Sequence, residues 1–213
     1  MVAAVCSCAA CDSVVGAEAG IRAALTGLSS GFSVNVPGEP SLIVTRIEFR
    51  EPQVFKEQGR YLLNALVDAE GESGGTHVSY YGVEKILFTR VGSRWRPQPP
   101  ILPALQAILA VLRARQRAAI TRDFAAFRDR LLASGYQEGS IDRAAYLARL
   151  AVRFKSPPSW TSPKTWAIRV DRAEAQVFED ATSASLAGTS PPVRSRFRLV
   201  QEAGLWRFTS GLD

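Results

Sequence analysis

The segment PQPPILP, Pro97 to Pro103, sets four prolines in seven positions and constrains the chain more than any other stretch. Proline lacks the N–H that a strand ladder needs, and its fixed φ favours an extended connector, so strand pairing cannot run through this segment. Pro103, the last of the four, suits the first turn of a helix. The chain therefore divides into residues 17–98 and 99–213, with 1–16 as a separate N-terminal stretch.

Both parts read in the same order. Ile21, Leu25 and Leu28 recur at i, i+4 and i+7, which predicts a short helix over 17–28. A turn-rich loop, Gly31 to Pro40, leads into LIVTRIEFR, where Ile43, Ile47 and Phe49 alternate with Arg46, Glu48 and Arg50. Further strands are predicted over 61–68 and 78–91, with a short one around Trp95. Beyond Pro103, one helical face carries Leu105, Ile108, Leu109, Leu112, Ile120, Phe124, Phe127 and Leu131, predicting a long helix that ends near Ser134-Gly135. Arg113, Arg117, Arg128 and Arg130 lie off that stripe. A second helix over 142–154, a proline-rich loop (KSPPSWTSPK) and strands over 166–178, 182–186, 193–200 and 205–208 complete the chain. Helices followed by an antiparallel meander predict an α+β fold, with helices packed on curved antiparallel sheets.

The repeated order suggests a duplication. At a fixed offset of 123, Arg46 meets Arg169, Glu51 meets Glu174, and Gln53-Val54-Phe55 meets Gln176-Val177-Phe178. Each part also closes on Trp-Arg, at Trp95-Arg96 and Trp206-Arg207.

Residues 104–213 resemble the NTF2-like (cystatin-like) α+β superfamily. The stretches carrying the resemblance are RQRAAITRDFAAFRDRLLASG, WAIRVDRAEAQVF and FRLVQEAGLWRF. It implies two tandem units, the first reduced and the second, 99–213, having a long first helix. It also implies a cone that in enzymes of the superfamily holds an acid or base, while many members are non-catalytic modules. Fold alone does not choose between these.

All three cysteines fall in the opening MVAAVCSCAACDS. Cys8 and Cys11 form a C-x-x-C, but the rest of the chain offers only His77 to complete a zinc site, and no strand precedes the pair as a redox motif requires. A frayed apolar terminus is another reading. The favoured one is the tail of a bacterial lipoprotein signal, which the segment resembles: Ala9-Ala10-Cys11 fits the cleavage box, with Cys11 as the lipidated residue. Cys8 stands where Leu is usual and no positive n-region precedes it, as a start codon assigned too late would produce.

The apolar fraction of 46% and charged fraction of 22% are those of a globular chain. The net charge of +6, with 22 Arg to 4 Lys, attracts anionic partners. Neither a nucleic-acid motif nor interleaved exposed aromatics accompanies it, so nucleic acid is not expected. The sequence contains no run of eighteen apolar residues, the length from which a helix could span a bilayer. No phosphate loop, nucleophile elbow or metal-ligand spacing occurs, so no cofactor or metal is implied.

The candidate sites are correspondingly few. Phe127, Trp166 and Ile168, with Glu174 as the carboxylate on the inward parity, outline a pocket in the second cone for a small apolar ligand. Glu51 shares that parity unless a bulge reverses it. Glu48 and Asp171 lie at outward parity, and His77 reads as a solvated hairpin-end residue. In VRSRFRLV, Arg194, Arg196 and Arg198 project from one strand face and could hold anions. The sequence thus points to an exported, lipid-anchored, non-catalytic binding or assembly module of the bacterial cell envelope, touching the membrane through its anchor only. Its partner would be a small apolar ligand or an envelope protein. The alternatives are a small enzyme using a carboxylate in the cone, or a basic cytoplasmic protein binding an anionic polymer.

Overall fold

The two alternating segments meet in one sheet. A computed structural model describes residues 14–28, 31–155, 161–185 and 188–212; Cys6, Cys8 and Cys11 lie outside them, as does the middle of the KSPPSWTSPK loop. Helix α1, Val14–Thr26, is followed by β1 (Ser33–Val34), β2 (Leu42–Glu57), β3 (Arg60–Ser73), β4 (Thr76–Val91) and β5 (Arg94–Pro97). After the proline segment come α2 (Pro103–Thr121) and α3 (Phe124–Ala126), which runs into a π-helical turn, Phe127–Leu131. A small hairpin, β6 (Gln137–Glu138) and β7 (Ile141–Asp142), precedes α4 (Arg143–Arg153). The second meander is β8 (Thr161–Asp171), β9 (Glu174–Ser185), β10 (Gly188–Glu202) and β11 (Leu205–Ser210).

Among the described residues the main sheet has nine strands in the order β1-β2-β3-β4-β8-β9-β10-β11, with β5 beside the far end of β4. Every pairing in it is antiparallel except β4 with β8, where His77–Gly82 runs parallel to Thr165–Val170. A parallel pair needs a long crossover, and the α2–α4 segment supplies it. The proline connector is therefore the start of a crossover within one sheet. The expected α+β class holds, and the helices lie on one face of that sheet.

That face is read off the burial alternation. Leu63, Ala65, Val67 and Ala69 of β3 share it with Val78, Tyr80, Ile86 and Phe88 of β4, all buried. Under α1, Ala17, Ile21 and Leu25 pack on Leu63, Ala65, Ile86 and Phe88. Under α2 and α4, Leu105, Ile108, Leu109, Leu112, Tyr146 and Leu150 join Val67 and Val78 from the first meander and Trp166, Phe197 and Phe208 from the second. The parts 17–98 and 99–213 thus share a principal core.

Three expectations need correction, each for a backbone reason. The long helix stops at Thr121, because Arg122 takes a left-handed conformation (φ 57°) and Asp123 caps a new turn through the Ala126 N–H at 2.9 Å. Ile120 is consequently exposed instead of lying on the core stripe. The strand expected over 166–178 is a hairpin: Asp171 pairs with Glu174, and Arg172 (φ 55°) turns the chain between them. A bulge between Val44 and Arg46 leaves Ile43 exposed while Leu42, Val44 and Ile47 are buried. The offset of 123 consequently sets the single bulged strand β2 against the β8–β9 hairpin, so the matched residues do not occupy equivalent places.

Candidate functional site

Helix α2 is held at its start by a buried carboxylate. Glu84, on the inner face of β4, accepts from the N–H groups of Ala104 and Leu105, both at 3.0 Å, satisfying two of the donors that a helix start leaves free. Burial pushes its carboxyl up to about 7, with the two N–H donors pulling the other way. The phenol of Tyr80 lies near enough to be raised by Glu84 in addition to its own burial, although no hydrogen bond of good geometry closes between them.

Two turns further along, α2 presents arginines to the sheet. Arg115 lies over the Phe197 ring at 4.2 Å and donates to Glu179 Oε2 at 2.6 Å. The Trp166 indole N–H donates to the same oxygen at 2.7 Å. Glu179 is 3% exposed. Arg113 lies over the Trp166 ring at 4.7 Å and donates to the Ser73 carbonyl and to Thr76 Oγ1, while Thr76 in turn donates to the Pro163 carbonyl. Burial draws the Arg113 guanidinium below its ordinary range, with Glu39 opposing that shift. The Nε atoms of Arg113 and Arg115 are buried without hydrogen-bond partners. The result is a polar cluster on apolar walls, linking α2 to β4, β8, β9 and β10.

Three of the expected pocket residues are packed as core. Phe127, Trp166 and Ile168 belong to the same core cluster and are at most 5% exposed. Glu174 does not join them. It sits exposed at the β8–β9 turn, opposite Asp171. The two-residue turn is the reason: inward positions are even on β8 (166, 168, 170) and odd on β9 (175, 177, 179, 181). The inward carboxylate is Glu179, and the small or apolar odd positions Ala175, Val177 and Ala181 are the signal that could have identified it. Glu51 occupies a second bulge of β2, between Arg50 and Gln53 (φ 49°), and is exposed. Among the described residues, no group of three or more His, Cys, Asp or Glu is placed to hold a metal.

The opposite sheet face carries the other expected residues. Arg194, Arg196 and Arg198 are exposed on one side of β10, as the alternation requires. Arg194 pairs with Asp180 at 3.3 Å, and Arg196 donates to Gln176 at 2.7 Å while lying over Phe178. Arg169 of β8 shares this face, along with exposed Tyr81, Val83 and Phe178. Toward β2, Arg46 bridges Asp68 and Glu70, and Arg50 pairs with Glu48, which is outward as expected. An open depression of about 510 Å³ lies between these groups, with Asp68, Ser79, Tyr81, Ala167 and Arg169 in its wall. His77 is exposed beside the Gly74-Gly75 turn, its Nδ1 at 3.0 Å from Glu72.

With this geometry in hand, the chain can be set against known proteins. No protein-family profile matches it, and no curated protein does. Solved structures do. One is an NTF2-like protein of unknown function from Pseudomonas putida KT2440, at 12% identity and a TM-score of 0.45 over 51% of this chain and 84% of that one. A second is a cystatin-like-fold protein of unknown function from Nostoc punctiforme PCC 73102, at 9% identity and a TM-score of 0.41, covering 49% of this chain and 85% of that one. The chain is similar to NTF2-like and cystatin-like proteins. A third match, Bd1075 of Bdellovibrio bacteriovorus, covers 84% of this chain and 79% of its own at 6% identity and a TM-score of 0.44.

Proposed function

We propose that this protein is an exported, lipid-anchored binding or assembly module of the bacterial cell envelope, without a catalytic centre in its cone. The observation that carries the non-catalytic reading is the state of Glu179. A general base must be within reach of a substrate proton. Glu179 is buried, with Arg115 and the Trp166 indole donating to one oxygen, and its neighbours Phe197, Trp166 and Ile168 are packed as core. Such an ion pair ties a helix to a sheet.

Recognition falls instead to the open sheet face, where Tyr81, Val83 and Phe178 stand exposed among Arg169, Arg196 and Arg198. Aromatic and arginine side chains are the types that protein interfaces favour. The address rests on Ala9-Ala10-Cys11 and on the confinement of every thiol to the first eleven residues. No helix among the described residues is long and apolar enough to cross a membrane.

The test is metabolic labelling with a clickable fatty acid in a bacterial host, using the gene with its upstream reading frame. The label should disappear on Cys11→Ser. A chain that stays unlabelled before that substitution overturns the proposal.

A further inference from the structure

The net charge of the chain is concentrated in its helices. Residues 113–155 hold ten of the 26 Lys and Arg but four of the 20 Asp and Glu, a net of +6, so the other 16 cations are matched by 16 acids. This stretch runs from the middle of α2 to just past α4, over the face of the sheet opposite Arg196 and Phe178. The excess positive charge thus falls within this stretch of sequence, although Arg115 and Arg117 pair with Glu179 and Glu39 outside it.

All four acids of the stretch are already engaged. Asp123 and Asp142 cap α3 and α4, accepting from Ala126 N at 2.9 Å and Ala145 N at 2.8 Å. Asp129 takes both arms of Arg128, at 2.6 and 2.7 Å. Glu138 accepts from the N–H groups of Gly211 and Leu212 at 2.7 and 2.9 Å. Seven of the ten cations fall into two sets. Arg113, Arg115 and Arg117 turn toward Ser73, Glu179 and Glu39. Arg122, Arg130, Arg149 and Lys155 are exposed and make no hydrogen bond or salt bridge with any described residue.

The segments that carry these cations pack beside one another. The Phe154 ring contacts Phe124 at 5.8 Å and Phe127 at 5.5 Å, setting the end of α4 beside α3. Arg143 at the start of α4 donates to the Arg128 carbonyl at 2.9 Å. Two aliphatic side chains protrude from the same helices, Ile120 at 48% exposure and Val152 at 66%. Long cationic side chains around protruding aliphatic groups suit a phospholipid surface, where guanidinium and ammonium groups meet phosphates and the aliphatic groups enter the headgroup layer. A single-stranded nucleic acid would call for open aromatic faces, whereas Phe124 and Phe154 lie half-buried, edge to face with each other.

We propose that the α2–α4 face is a peripheral membrane surface that docks on an anionic phospholipid bilayer through Arg122, Arg130, Arg149 and Lys155, with Ile120 and Val152 inserted between headgroups. The docking is independent of any lipid on Cys11. It turns the open sheet face away from the bilayer, toward the partner of the proposed module.

The experiment is co-sedimentation of the full chain carrying Cys11→Ser with vesicles of phosphatidylcholine alone or mixed with phosphatidylglycerol. Binding is expected only to the mixed vesicles, falling steeply between 0.1 and 0.5 M salt on the order expected for screening. Arg122→Glu, Arg149→Glu and Lys155→Glu together should weaken it at least about tenfold, with an unchanged melting temperature confirming the fold. Ile120→Ser with Val152→Ser should weaken it at every salt concentration. Equal binding to both vesicle types, or no response to the charge reversals, overturns the proposal. So does tighter retention on duplex DNA together with indifference to the Ile120 and Val152 changes, which would mark a general polyanion surface. Because the tested chain lacks the Cys11 thiol, a failure of lipidation leaves this result untouched.

Discussion

Arg115 of α2 and Glu179 of β9 close to 2.6 Å beneath the helix, with 2% of the glutamate side chain exposed. The pair fastens α2 to the second meander at the point where Trp166 also donates to the same carboxylate. A buried pair of this kind is costly to break on one side only, because the remaining charge is left in a poorly solvating interior. Arg115→Met should therefore cost about 3–5 kcal/mol in urea unfolding. Arg115→Met combined with Glu179→Leu should recover most of that loss. A single-variant cost below about 1 kcal/mol would assign Glu179 to something other than holding the fold.

Glu84 predicts a pH dependence with a definite sign. Its carboxyl is raised to about 7 from an ordinary 4.5. The folded state thus keeps a proton that the unfolded chain has released, so stability is greatest at low pH and falls as pH rises from about 4.5 to 7. The whole effect is on the order of 3 kcal/mol, at about 1.4 kcal/mol per pH unit. Glu84→Gln keeps an acceptor for the α2 start and removes the titration. The difference in unfolding free energy between the two proteins, followed from pH 5 to 7.5, should grow with pH. Parallel profiles would contradict the assignment.

At the other end of the sheet, α1 rests on β5 through Gly20. A Cβ at this position would overlap the Trp95 indole, whose ring also meets Tyr61 edge-on at 4.8 Å. Overpacking of this kind typically costs about 1–3 kcal/mol. Gly20→Leu should lift α1 from Leu63, Ala65, Ile86 and Phe88, which it covers. The expected readouts are a red shift in tryptophan emission and early protease cleavage within α1. Unchanged emission would mean that the helix is seated some other way.

The legible parts of this fold were those written in local periodicity. The first half of α2 carries its burial in spacing alone, with Leu105, Ile108, Leu109 and Leu112 all buried, whereas on α4 the apolar Val152 is exposed and Tyr146 and Leu150 are the buried positions. What local spacing does not carry is a change of backbone hand at a residue other than glycine. Arg122 and Arg172 adopt left-handed conformations without being glycine, so neither announced a helix end or a hairpin. The turn at Arg172 reverses the inward parity between β8 and β9, so Glu174 is exposed and Glu179 is the inward carboxylate. The bulge beyond Val44 misplaced Ile43 in the same way. The parallel pairing of β4 with β8 depends on residues nearly ninety positions apart, for which no local signal exists. Phe127, Trp166 and Ile168 were legible as buried groups because size and spacing settle that much, but Arg115 acquires its partner only through the turn that was missed.

The hairpin between β10 and β11 gives the same lesson a measurable form. Glu202 pairs with Leu205, and the two residues between them, Ala203 (φ 49°) and Gly204 (φ 80°), are both left-handed. This is the turn for which Asn-Gly is the preferred pair, because asparagine tolerates the left-handed region that alanine does not. Ala203→Asn should therefore stabilise the protein by roughly 0.5–1 kcal/mol, the difference expected for relieving a backbone position of this type. The gain should reach the core, since the strand that follows carries buried Trp206 and Phe208. Chemical denaturation should show a higher midpoint with an unchanged slope, the mark of a stability change without altered compactness. A lower midpoint would mean that Ala203 is held left-handed by something that asparagine disrupts.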